Sequence, residues 1–156
     1  DDQQVGAILA QHHVVAASAE QRVIAGTAAQ HVGTITAYQQ ALEVLTRQAI
    51  PLEWAQTMMN LGIAYYSRIR GGRPENLESA IDAYQQALEV RTRQAMPVEW
   101  ATTMMNLANA YSDRIRGDRA ENIERAIEHY TLALEVYTRQ AFPADWAGTQ
   151  NNLGLA

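Results

Sequence analysis

The chain has 156 residues, 47% hydrophobic and 19% charged, a composition that can bury a core and is not that of a disordered segment. It contains no cysteine, which excludes disulfides, cysteine-ligated zinc, iron–sulfur clusters and a cysteine nucleophile. All 12 basic residues are arginine, which excludes lysine Schiff bases and a phosphate-loop lysine, and the net charge of −5 argues against nucleic acid and anionic membranes as partners.

In chain order, residues 5–25 are helix-like, rich in Ala, Gln, Val and Ile, and residues from about 34 to 49 read as a second helix. From Pro51 onward a period of 46 residues organises the chain: Trp54, Trp100 and Trp146, Pro51, Pro97 and Pro143, and Tyr38, Tyr84 and Tyr130 each keep that step. Residues 51–96 align without a gap on 97–142, with about two thirds of the pairs identical. The N-terminal part departs from the period. Val14, Val15 and Ala16 stand where Asn60, Leu61 and Gly62 would repeat, so 1–50 is an atypical repeat with solvent on one side.

Each unit reads as two helices. The first starts at Pro51, whose fixed φ suits a first helical turn, and carries Trp54, Met58, Leu61, Tyr65 and Ile69 as one apolar stripe, ending at Gly71 and, in the next unit, Gly117. Residues 73–76 and 119–122 are the expected turns. The second helix carries Leu77, Ala80, Ile81, Tyr84, Ala87, Leu88 and Arg91 and ends near Ala95, before Pro97. Glu43–Arg47, Glu89–Arg93 and Glu135–Arg139 are spaced as i,i+4 ion pairs. Residues 143–156 begin another first helix. No strand is predicted.

Asn60-Leu61-Gly62-x-x-Tyr65 followed by Ala80-x-x-x-Tyr84-x-x-Ala87 resembles the tetratricopeptide repeat (TPR), and Asn106-Leu107-Ala108-x-x-Tyr111 with Ala126-x-x-x-Tyr130-x-x-Ala133 does so again. The unit is about 12 residues longer than the standard 34. Its longer blocks look like repeats of bacterial CHAT-associated, caspase-like proteins or of repeat proteins joined to signalling ATPases, with kinesin light chain repeats a looser likeness. The resemblance implies an all-α fold over residues 1–156: a right-handed α-solenoid of antiparallel helix pairs, about three pairs plus a terminal helix. Its first helices would line a concave groove for a peptide or a neighbouring domain.

Asn60, Asn106 and Asn152 recur on successive first helices. In the TPR family an asparagine at this place often bonds a bound peptide's backbone; a structural bond between helices is the competing reading. Basic residues of a carboxylate clamp are missing, since Met59 and Ile63, Met105 and Asn109, and Asn151 and Leu155 hold those places. Gln56, Met59, Ile63, Tyr66 and Ser67, with Thr102, Met105, Asn109, Ser112 and Asp113, share the groove-facing stripe, while Met58 and Met104 belong to the core. The tryptophans read as packing between repeats. Arg68, Arg70 and Arg73, with Arg114, Arg116 and Arg119, could hold acidic segments but read first as caps of helix ends paired with Glu75, Glu78, Glu121 and Glu124. His12, His13, His31 and His129 have no metal-ligand spacing.

The expectation is a non-catalytic interaction scaffold with no cofactor and no metal. Its partner would be a protein or peptide bound at Gln56, Met59, Asn60, Ile63, Tyr66, Thr102, Met105, Asn106, Asn109, Asp113 and Asn152. Two alternatives stand beside it: the sensor arm of a larger bacterial CHAT protease or signalling ATPase, and self-assembly as a homo-oligomer through the helix at 143–156. Neither a membrane span nor a signal peptide is legible, so the expected location is the cytoplasm, and the start at Asp1 reads as an excerpt of a longer chain.

Overall fold

The computed structural model describes residues 28–68 and 71–156. The expectations for residues 1–27 (His12 and His13 included), for the His31 side chain, and for Ile69 and Arg70 lie outside the described residues. Six helices occupy the described residues, with no strand among them: α1 Ala28–Leu42, α2 Pro51–Tyr66, α3 Arg73–Leu88, α4 Pro97–Ser112, α5 Arg119–Leu134 and α6 Pro143–Leu155. Each packs on the next in the chain, most closely within the pairs α2/α3 and α4/α5, and α2 also touches α4. This succession of stacked pairs is that of a TPR-like helical solenoid.

The helix starts follow from proline. Pro51, Pro97 and Pro143 stand at the first helical positions, where a missing N–H costs nothing. The preceding residues offer no side-chain cap; a Thr-Arg-Gln-Ala turn closes the approach instead. Thr46, Thr92 and Thr138 each accept at Oγ1 from Ala49, Ala95 and Ala141 N–H at 3.2 Å. Their carbonyls accept from Ile50, Met96 and Phe142.

The helices are shorter at their C-terminal ends than the apolar pattern predicts. The first helix of the unit stops at Tyr66, not Gly71, and the second at Leu88, not near Ala95. Likewise α1 spans Ala28–Leu42 rather than 34–49, and 73–76 and 119–122 are first helical turns rather than loops. Leu45 and Tyr137, beyond the ends of α1 and α5, are still buried, so periodicity overruns those boundaries, whereas Ile115 beyond α4 is exposed. Gly71 (φ 87°) and Gly117 (φ 82°) do turn the chain left-handed, as the sequence suggests. Buried Asn76 and Asn122 brace those turns, donating to the carbonyls of Arg68 (3.3 Å) and Arg116 (2.8 Å).

Small residues let the helices approach. Ala55, Ala64, Ala80 and Ala87, like Ala101, Ala108, Ala110, Ala126 and Ala133, are fully buried, and Tyr38, Tyr84 and Tyr130 fill the space between them. A Cβ on Gly62 would lie 2.5 Å from Tyr84 Cε1, so that ring rests on bare backbone. Trp100 packs with Ala101, Ala133 and Tyr137, while Trp54 and Trp146 are half-buried against the cores. Arg93 and Arg139 lie over the Trp100 and Trp146 rings at 5.7 and 5.8 Å.

The expected i,i+4 ion pairs fall beyond the helix ends and are replaced by pairs between units. Arg47 meets Glu89 and Arg93 meets Glu135. Arg114 grips Glu78 with two bonds of 2.8 and 2.7 Å, and Arg116 reaches Glu75 at 2.5 Å. Gln39 and Gln85 donate to the hydroxyls of Tyr65 and Tyr111 in the following helix pair. Exposed ion pairs contribute about 0–1 kcal/mol each; what they add here is register between neighbouring pairs.

Candidate functional site

Where α2, α4 and α6 come alongside one another, a hollow of about 360 Å³ opens. It is lined by Tyr66 from α2, Asn109 and Ser112 from α4, Asp113 after α4, Arg119 and Tyr130 from α5, and Asn152 and Leu155 from α6. Four of the residues expected to bind a partner therefore meet here: Tyr66, Asn109, Asp113 and Asn152.

The hollow has two polar centres. At one, Asn109 Oδ1 accepts from the Tyr130 hydroxyl at 2.6 Å and from Asn152 Nδ2 at 3.0 Å. Joined this way, the two carboxamides retain the N–H groups of Asn109 and the C=O of Asn152 for a further partner. Burial pushes the Tyr130 hydroxyl up to about 12, with nearby Tyr66 and Asp113 adding to it, so it remains a donor at neutral pH.

At the other centre, Asp113 Oδ2 accepts from the Tyr66 hydroxyl and from Arg73, both at 2.9 Å. Arg73 lies over the Tyr66 ring at 5.0 Å and also donates to the Tyr66 carbonyl, capping the end of α2. Burial, with the Asp113 carboxylate, raises the Tyr66 pKa. Arg119 caps α4 in the same manner through the Ser112 carbonyl. Of the arginines expected both to cap helix ends and to pair with acids, Arg73 and Arg119 cap, whereas Arg116 and Arg114 pair with Glu75 and Glu78; Arg68 has its buried Nε without a partner, and Glu121 pairs with Arg125 instead.

The other expected site residues lie elsewhere. Met59, expected on the groove stripe, is 3% exposed and belongs to the core, because the space beside α3 is deep enough to take both Met58 and Met59. Ile63 and Met105 are half-buried against the core. Asn60 accepts from Gln56 at 3.1 Å, and Asn106 donates to the Thr102 carbonyl at 3.0 Å, both bonds within one helix. Gln56 also accepts from Arg91 at 2.5 Å, and Thr102 bonds the Tyr137 hydroxyl at 2.5 Å. Tyr130 is a site residue the sequence reading missed: it marks the core, yet Asn109 in place of Ile63 gives its hydroxyl an acceptor inside the hollow. Among the described residues no group of three His, Asp or Glu side chains could hold a metal ion.

Residues 100–139 match the family model of the tetratricopeptide repeat. That match supports a TPR-type repeat over this segment, a kind of repeat that suggests protein–protein interaction. No curated protein and no solved structure matches the chain. No described helix is long and apolar enough to cross a membrane.

Proposed function

We propose that the chain is a non-catalytic interaction scaffold that holds an extended peptide segment of a partner protein in the hollow between α2, α4 and α6. The observation that carries this reading is the Asn109–Asn152 pair. Its free donor and acceptor match the C=O and N–H that an extended peptide presents. Tyr66 and Tyr130 supply aromatic walls, and exposed Leu155 supplies an apolar edge. Asn106, which donates to the Thr102 carbonyl of its own helix, is assigned to the scaffold. The site is built on helices rather than loops, so little ordering is lost on binding.

Peptides selected from a random display library against the chain test this. Asn152→Ala and Ser112→Trp, which removes one amide and fills the hollow respectively, should each weaken selected peptides by about tenfold or more, the loss of one to two hydrogen bonds. Helical circular dichroism should be unchanged. Binding that survives both substitutions contradicts the assignment.

A further inference from the structure

The two units also differ at a place outside the lining of the hollow. Position 83 on α3 is an alanine, 2% exposed, and the residue 46 positions on is His129 of α5. The alanine shows that a helix pair of this plan closes on a methyl group there. His129 instead puts an imidazole into the seam between α4 and α5, where its ring meets that of Tyr111 edge to face, with centroids 5.5 Å apart and planes at 64°. Its Nδ1 is buried and has no hydrogen-bond partner.

These surroundings suit the neutral ring. A protonated imidazole donates from both nitrogens, and nothing stands ready to accept from Nδ1. Two cations already share the Tyr111 ring: Arg125, one turn before His129 on α5, at 5.6 Å, and Arg114, just after α4, at 5.8 Å. Each is held by its own carboxylate, Arg125 by Glu121 and Arg114 by Glu78 of α3. The Tyr111 hydroxyl accepts from Gln85 of α3 at 3.1 Å, a neutral contact. Glu128, beside His129 on α5, is exposed. The charged residues of the helices packed on α5 stand in their first turns, Glu99 on α4 and Asp145 on α6. Burial holds the His129 pKa below its ordinary 6.5, and the Arg125 carbonyl and the Glu128 charge oppose this only in part.

We propose that His129 is an acid-sensitive latch between α4 and α5: neutral, it closes the seam against Tyr111, and protonated, it leaves the seam and loosens the second helix pair. The first pair, with Ala83 at the same place, does not respond. Because the folded chain favours the neutral ring, the latch is closed above pH 6.5 and opens as the pH falls from there through the lowered value. Tyr130, the next residue on α5, reports the change, since its hydroxyl bonds Asn109 of α4 at 2.6 Å. The latch is independent of what the hollow binds.

Two measurements on the full chain from pH 7 to pH 5 test the latch, a range above the lowered pKa of Glu78. In nuclear magnetic resonance spectra the His129 Cε1–H should titrate with a midpoint below 6.5. The Tyr130 ring signals should move with that midpoint while those of Tyr84 stay in place. In urea denaturation the wild-type chain should lose stability over this range, and His129→Ala, which gives the second unit the residue of the first, should remove that loss. His129→Gln, polar but unable to charge, should remove it as well. The contributions of His12, His13 and His31 are common to all three chains and cancel. A midpoint at 6.5 or above overturns the latch, as does an equal loss of stability in both variants. Tyr84 shifts that match those of Tyr130 overturn it too, because the loosening would then not be confined to the second pair.

Discussion

Residues 51–96 and 97–142 share one backbone plan, with helices of 16 residues that start and stop at equivalent positions. They differ at a few side chains that decide what each unit does. In the first, Gly62 admits the Tyr84 ring, Ile63 packs on the core, and the Arg73 corner is closed by Asp113. In the second, Ala108 stands for Gly62, Asn109 for Ile63 and Ser112 for Tyr66, so polar groups and open space replace apolar filling. The comparison separates a unit filled by apolar packing from one whose polar side chains border a hollow, within a sequence repeat about two-thirds identical.

The largest expected effect concerns Arg91, which is 3% exposed at a place that is Leu45 in the preceding unit and Tyr137 in the following one. It bonds Thr103 at 3.2 Å and Gln56 at 2.5 Å, its Nε has no partner, and burial lowers its pKa. A buried cation that makes no ion pair among the described residues is costly, with Glu99 only partly offsetting the burial, and Arg91→Leu should raise stability by about 1–4 kcal/mol, read from urea denaturation. A loss of stability would mean that the guanidinium contributes packing that leucine cannot replace.

Next is Gly62→Ala, expected to destabilise by about 1–3 kcal/mol as the ring of Tyr84 is displaced. Ala108→Gly in the other unit should cost only about 1 kcal/mol, the helix-propensity difference. If the two substitutions behaved alike, the difference in ring seating between the units would be disproved.

Glu78→Gln should cost about 1 kcal/mol at pH 7, since Glu78 receives two bonds from Arg114, whereas Glu124→Gln at the equivalent exposed place should be neutral. The Arg114 guanidinium holds the Glu78 carboxyl below its ordinary value of 4.5. Its stabilisation is therefore complete above that pH and fades as the pH falls through the lowered value, a fading that Glu78→Gln should remove. Thermal melts from pH 7 to pH 3 measure both. Smallest is Tyr130→Phe, which should cost about 0.5–1.5 kcal/mol by releasing Asn109, against almost nothing for Tyr84→Phe beside Ile63.

The all-helical repeat was legible because Pro51, Pro97 and Pro143 start helices in any context, and because Tyr38, Tyr84 and Tyr130 keep their step. The helix ends were not. Ser67 and Glu89 close their helices through backbone bonds that any residue could make, and the Thr-Arg-Gln-Ala turn is sealed by a threonine hydroxyl that looks equally at home on a helix. Five of the eight residues lining the candidate site were readable, because Tyr66, Asn109, Ser112, Asp113 and Asn152 keep the same face of successive first helices. Met59 was misplaced because burial depends on how deeply α3 packs, which spacing does not encode. Tyr130 and Arg119 come to the hollow from α5, and only tertiary packing brings that helix beside α4 and α6.

The most direct test of the account is a set of intermolecular nuclear Overhauser contacts between the chain and a peptide selected from the display library. The account predicts contacts to the Asn109 and Asn152 side-chain amides and to the Tyr66 and Tyr130 rings. Contacts confined to the surface around Ile127 and His129, with none in the hollow, would contradict it.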